Sequence, residues 1–258
     1  MFKSTAIRNS HVIILHGQSN ANGLANSNGV YPAAPDTNIY LPKKGQYIFN
    51  PVTMLWERLQ QNKNNDGTPV TPVLGYTGVE MKLMQLLSDY YGSDQYLIKY
   101  AQGGTSVSLT SGTLYNWNPD STDTIMFKGA VSNCLAAINK LPSLGLKPTL
   151  EIWIQGEADT GTTDANNYKT NLTYYQTEFR NRCGLPNLKY IQTGLSNNQT
   201  AYLTNQAIVN SAKMAMSING NHYVSTDGAE VGIDGVHFTV AGYEDIAQRI
   251  FNVAITML

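Results

Sequence analysis

Short, dense apolar runs alternate along this chain with longer amphipathic stretches. The first run, Val12-Ile-Ile-Leu15, lies between His11 and His16 and stops at Gly17-Gln18-Ser19-Asn20. An unbroken apolar run of this length, closed by a glycine, predicts a strand covered on both faces. Four later segments read the same way: Gln95–Ala101, Thr149–Ile154, Lys189–Thr193 and His222–Thr226. Between them the apolar spacing changes to that of a helix facing a core. Val79, Met81, Leu83, Met84, Leu86 and Leu87 predict one helix ending near Gly92. Further helices are predicted over Ile125–Leu141, Tyr168–Arg182, Gln206–Ile218 and Val240–Met257, the last with Thr239 as its N-cap. The remainder reads as a short helical turn after Ser19 running into a loop to Gly29, and a small hairpin of Asn38–Leu41 and Gln46–Phe49 around Pro42–Gly45. Asn62–Gly67 reads as a surface loop and Val107–Thr124 as a long polar one.

Strands alternating with helices predict an α/β protein, a three-layer α/β/α sandwich on a central five-stranded parallel sheet with right-handed crossovers. The 258 residues contain no Pro/Gly/Ser-rich linker, so residues 1–258 are read as one domain. Every polar motif falls where a strand ends or just before a helix begins. In an open α/β sheet that edge is where ligands bind.

Composition narrows the function classes. The formal net charge is −1 and the basic residues form no cluster beyond Lys43-Lys44, which argues against a nucleic-acid or anionic-membrane partner. No stretch approaches the ~18 apolar residues needed to cross a bilayer, and no secretory leader is read at the N-terminus. Charged residues make up only 14% of the chain, and 16 tyrosines with many Asn, Thr and Ser carry the polarity instead. Such a surface suits carbohydrate contact, and it suits a virion-associated or extracellular setting as well as the cytoplasm. Cys134 and Cys183 fall in segments of helical spacing and read as small buried hydrophobes, with a bridge between them left open.

Ser19, placed where the first strand turns, is a candidate nucleophile. A serine hydroxyl needs a base, a group that orients the base, and donors for the oxyanion. Of the four histidines, His237 alone follows an acid by three positions in a glycine-containing turn, Asp234-Gly-Val-His237, with Asp227 as a rival acid. That spacing lets a carboxylate hold Nδ1 while Nε2 points toward the serine. The second predicted strand ends in Gly103-Gly104, whose backbone N–H groups are unshielded by side chains, and the third ends in Gln155, whose amide could join them at the oxyanion. Glu157 and Asp159 lack a histidine at metal-ligand spacing, so they are read as braces for their loop, with no metal and no cofactor expected.

Four blocks in order, Gly17-Gln-Ser-Asn20, Gly103-Gly-Thr105, Trp153-Ile-Gln-Gly-Glu-Ala-Asp159 and Asp234-Gly-Val-His-Phe238, resemble those of SGNH/GDSL-type hydrolases. More narrowly they resemble the branch of sialate O-acetylesterases and the acetylxylan esterases of carbohydrate esterase family 6. The resemblance implies a flavodoxin-like fold and metal-independent ester hydrolysis through an acyl-enzyme. It assigns Ser19 as nucleophile, His237 as base and acid, and Asp234 as its partner. Ser19, Gly104 and Gln155 would form the oxyanion hole, with Gln18, Asn20, Gly103 and Glu157 in support. Gln155-Gly156-Glu157 stands where many SGNH members carry a Gly-x-Asn-Asp block, which favours the carbohydrate-esterase branch.

The sequence therefore reads as a serine esterase removing O-acetyl groups from a glycan or from sialic acid. The loop carrying Tyr115 and Trp117 and the stretch Gly194–Thr204 are expected to shape the sugar subsite. A glycan-binding module without activity has no need of a base beside a serine, and a lipid or aryl esterase calls for an apolar surround where this chain has Asn, Ser and Gly. Neither the particular glycan nor the oligomeric state is legible.

Overall fold

Alternate residues of the apolar runs point to opposite sides of a sheet, and both sides are covered. The computed structural model describes residues 9–23, 45–61, 64, 67, 77–141, 145–202 and 204–258. In chain order the elements are β1 (Val12–Gly17), α1 (Ser19–Asn22), β2 (Gln46–Asn50), β3 (Leu55–Arg58), α2 (Val79–Tyr91), β4 (Gln95–Ala101) and α3 (Phe127–Asn139). They continue with β5 (Pro148–Ile154), α4 (Thr162–Cys183), β6 (Lys189–Thr193), α5 (Gln206–Ala215), β7 (His222–Val224) and α6 (Val240–Met257).

The strands form one sheet in the order β3-β2-β4-β1-β5-β6-β7. Ile13 and Leu15 of β1 join Leu97, Ile152 and Ile191 in a core capped by α2 and α6. Val12 and Ile14 face the other way, into a core with Trp153, Tyr190 and residues of α3, α4 and α5. The three expected layers are therefore present, and the five expected strands lie side by side and parallel as β4-β1-β5-β6-β7.

Among the described residues the sheet has seven strands rather than five. Gln46–Asn50, expected in a small hairpin with Asn38–Leu41, joins the sheet parallel to β4. Its antiparallel partner is Leu55–Arg58, which follows it. Residues 38–44, the first half of the expected hairpin, lie outside the described residues, as do residues 24–29. β3 escapes a sequence reading because a four-residue edge strand shows too little alternation, and Trp56 is fixed by tertiary contact, edge-on to Phe49 and Tyr96. The stretch expected as a surface loop at Asn62–Gly67 is described only at Asn64 and Gly67, and both are buried. Asn64 donates to Glu57 and to the Arg58 carbonyl, and the Gly67 carbonyl accepts from Ala101, so these two residues pack inward.

Helix limits shift modestly from the pattern. α4 starts at Thr162, a turn and a half before Tyr168, because Thr-Thr-Asp-Ala-Asn-Asn carries little apolar signal. α5 stops at Ala215. Thr239 caps α6 as expected, its hydroxyl accepting from Gly242 N–H at 3.1 Å.

Candidate active site

β1 delivers the serine. Gly17 has φ +147°, and a Cβ there would lie 1.9 Å from the Ile154 carbonyl oxygen, so only glycine lets β1 turn this close to the end of β5. The chain then folds into the short helix α1, with Ser19 at its start and 7% exposed. Gln18 ties the turn to β5, its Oε1 accepting from the N–H groups of Gly156 and Ala158, each at 3.3 Å.

His237, the expected base, arrives from the loop before α6. Asp234 Oδ1 accepts from the N–H groups of Val236 and His237, both at 2.9 Å, which closes the turn. The other oxygen, Oδ2, lies 2.7 Å from His237 Nδ1. His237 Nε2 is buried and has no hydrogen-bond partner among the described residues. Asp227, the rival acid, is engaged elsewhere, accepting from Asn197 N–H and the Ser225 hydroxyl.

The two halves meet through Asn20. Its Nδ2 donates to the Val236 carbonyl at 3.2 Å and its Oδ1 accepts from Phe238 N–H at 3.4 Å, so one side chain holds the residues on both sides of His237. The same Nδ2 donates to Glu157 Oε1 at 2.6 Å, and Oδ1 accepts from the Tyr243 hydroxyl at 2.8 Å. Gln199 completes the clasp, its Nε2 donating to Val236 carbonyl at 2.8 Å and Glu157 Oε1 at 3.1 Å. Thus the residue next to Ser19 anchors the backbone of His237. No hydrogen bond joins Ser19 to His237, a contact that commonly closes only with substrate bound.

The glycine turn after β4 lies alongside. A Cβ on Gly103 would sit 3.4 Å from the Ser19 Cβ, while Gly104 has φ +70° and open space where a Cβ would be. The N–H groups of Ser19, Gly103 and Gly104 find no acceptor among the described residues. Free backbone donors grouped at a serine are suited to stabilising negative charge. Among the described residues no group of three or more His, Cys, Asp or Glu is placed to hold a metal ion.

A family model described as "Carbohydrate esterase, sialic acid-specific acetylesterase" matches residues 9–256. The chain belongs to this family. It is accordingly a carbohydrate O-acetylesterase, a carboxylic ester hydrolase. No curated protein matches it by sequence. Its fold is similar to that of an Arabidopsis thaliana protein, with 18% identity, coverage of 96% of this chain and 98% of that one, and TM-score 0.78. It is also similar to NanS, at 14% identity, coverage of 96% and 97%, and TM-score 0.74. A third likeness is to a carbohydrate acetylesterase from Xanthomonas citri, at 17% identity and TM-score 0.63, covering 96% of this chain and 56% of that one. These likenesses share the layered α/β architecture that the alternation of strands and helices implied.

In this esterase Gln155 is placed differently from its expected role at the oxyanion. Its Nε2 donates to the Thr105 carbonyl at 3.0 Å and to Asp159 Oδ2 at 2.5 Å, and its Oε1 accepts from the Tyr168 hydroxyl at 2.8 Å. Both amide hydrogens are committed, so this side chain keeps no free donor for Ser19. Asp159 accepts in turn from the N–H groups of Val107 and Ser108, so Gln155 and Asp159 together fasten the segment just after the glycine turn. Burial pushes the Asp159 carboxyl up to about 7 despite these hydrogen bonds.

Below this loop lies Lys213, a fully buried lysine that the sequence reading missed. Its ammonium donates to the carbonyls of Gln155 at 2.5 Å and Thr193 at 2.8 Å. Burial brings it down to about 8, against the opposing pull of Glu157 and Asp159. Gln199 and Tyr243 were missed as well. A glutamine in a polar stretch and a tyrosine inside a helix carry no local signal, because their partners are 37 and 223 residues away.

Trp117, in the loop expected to shape the sugar subsite, is fully buried against Trp153 and Tyr175, with its Nε1 donating to the Thr105 hydroxyl at 2.9 Å. It supports the glycine turn from inside the core. His16 is also in that core, its Nδ1 2.8 Å from the Tyr175 hydroxyl and 3.2 Å from Glu151. Cys134 and Cys183 are buried and free.

Proposed function

We propose that Ser19, His237 and Asp234 form the catalytic triad, and that they cleave O-acetyl esters of sugar hydroxyls through an acyl-enzyme. The single observation that carries this reading is the Asn20 clasp: it fixes the backbone on both sides of His237 to the residue beside Ser19, while Asp234 occupies Nδ1 and leaves Nε2 unpaired.

In the first half-reaction Ser19 Oγ attacks the acetyl carbonyl and its proton passes to His237 Nε2. The Asp234 carboxylate stabilises the imidazolium that results. Negative charge on the former carbonyl oxygen is met by the backbone N–H groups of Ser19 and Gly104, with Gly103 beside them. Collapse expels the sugar oxygen, which takes the proton from His237. Water then attacks the acetyl-serine with His237 again as base, releasing acetate and restoring Ser19. Each oxyanion donor of this kind is worth ~3 kcal/mol of transition-state stabilisation.

Acetate release from acetylated xylan and from O-acetylated sialic acid tests the assignment, with Ser19→Ala as the comparison. Release by the intact enzyme with a loss of several orders of magnitude in the variant is expected. Full activity in Ser19→Ala would refute the triad.

A further inference from the structure

The sequence holds two cysteines, Cys134 and Cys183, so neither has a second thiol competing for it. They come from different helices of the same layer. The buried face of α3 includes Phe127, Ala130, Cys134 and Ala137, and that of α4 includes Leu172, Tyr175, Phe179 and Cys183. Spacings of three and four put each set on one side of its helix, and both sets enter the core that holds Trp153 and Tyr190. There the two thiols meet: the side chains of Cys134 and Cys183 are hydrogen-bonded to each other and are not bridged. An S–S bond of ~2 Å asks two sulfurs already in hydrogen-bond contact for a short approach rather than a rearranged backbone.

The two sulfurs differ in access. Cys134 lies inside α3 and is fully buried, whereas Cys183 is the last residue of α4 and 6% exposed. Gly184, with φ +65°, ends that helix, and Leu185 N–H closes it by donating to the Arg180 carbonyl at 2.9 Å. A helix end opens at less cost than a helix interior, so Cys183 is the sulfur that a reagent reaches first. The hydrogen bond with Cys183, together with burial, pushes the Cys134 thiol well up, and the nearby Glu151 charge adds to this. Cys134 is thereby kept protonated and inert toward reagents from outside.

We propose that Cys134 and Cys183 form a redox modification site, which takes a small-molecule disulfide of the glutathione class and closes a bridge between α3 and α4. The Cys183 thiolate attacks one sulfur of the reagent, whose S–S bond breaks and releases a first thiol. The Cys134 sulfur then attacks Cys183 in the mixed disulfide, forming the new S–S bond and expelling a second thiol. The two cysteine protons end on the two released thiols, and the two electrons lost by the cysteines reduce the reagent. The bridge closes a loop of about 50 residues, which restricts the unfolded chain and stabilises the fold.

The test treats the full chain with oxidised glutathione, once in buffer alone and once in urea just below the unfolding transition, so that the end of α4 opens. Remaining thiols are then alkylated in denaturant and the peptides mapped by mass spectrometry without reduction. A Cys134–Cys183 cross-linked peptide and no alkylated cysteine are expected in the urea-treated sample. The thermal midpoint should rise by about 5–10 °C, and dithiothreitol should reverse it. Cys134→Ser should stop at one glutathione on Cys183 and show no rise. Two alkylated cysteines after both treatments, glutathione retained on both cysteines of the unaltered chain, or a bridge that lowers the midpoint overturns the proposal.

Discussion

A histidine that holds a carboxylate on Nδ1 and nothing on Nε2 has its tautomer chosen and its free nitrogen reserved. His237 is in that state. Asp234→Asn keeps an oxygen for the Val236 and His237 N–H groups but loses the charge that stabilises the imidazolium. Its kcat is expected to fall about 10²- to 10⁴-fold with KM nearly unchanged. Asp227→Asn, at the acid that sequence spacing alone could not set aside, should leave kcat within about twofold. Steady-state kinetics on one acetyl ester decides between them, and equal losses in the two variants would remove Asp234 from the triad. Gln199→Leu takes away a donor to the Val236 carbonyl without touching substrate. A kcat loss of about 10- to 100-fold with unchanged KM is expected from the resulting drift of His237.

At the level of elements, the site depends on three strand ends being held against one another. Lys99 of β4 pairs with Glu80 of α2 at 2.9 Å, both fully buried, and also donates to the carbonyl of Asn22 at the end of α1. One lysine therefore links the Ser19 turn, the central sheet and the helix that covers it. Lys99→Met leaves a buried carboxylate without its counter-charge and should cost about 3–5 kcal/mol, read by chemical denaturation. Trp117 does the equivalent for the glycine turn. Trp117→Phe retains most of the core volume but drops the hydrogen bond to Thr105, so a stability loss of about 1 kcal/mol or more is expected together with a lower kcat.

For the whole molecule, two of the buried ionisable groups around the site, Asp159 and Lys213, leave a signature in stability against pH. Asp159 has its carboxyl raised to about 7, so between its ordinary range near 4 and pH 7 the folded state binds more protons than the unfolded chain. Stability attributable to it therefore falls as pH rises through that window. Lys213 is lowered to about 8, so from there to its ordinary value near 10.5 the unfolded chain binds more protons and this contribution rises with pH. Denaturant midpoints measured from pH 4 to 10 should show both limbs, and Asp159→Asn should flatten the acidic one. A wild-type acidic limb that persists unchanged in Asp159→Asn would assign it to other carboxylates. No described helix is long and apolar enough to cross a membrane.

The amino-acid sequence by itself determined the five parallel strands, the helices between them, Ser19 at the end of the first strand and Asp234 beside His237. These are written in local code: unbroken apolar runs, helical spacing, glycine at a strand end, and an acid three residues before a histidine. Tertiary structure alone decided what depends on distant partners. β3 is an edge strand held by Phe49 and Tyr96 rather than by its own alternation. Asn64 and Gly67 look like surface residues yet are buried, because their partners lie on β3 and β4. Gln155 looks like an oxyanion donor until Thr105 and Asp159 take both its hydrogens. Lys213 and Gln199 carry no periodic or motif signal, since a buried polar group is specified by the acceptors that surround it, and those come from strands and loops far away in the chain.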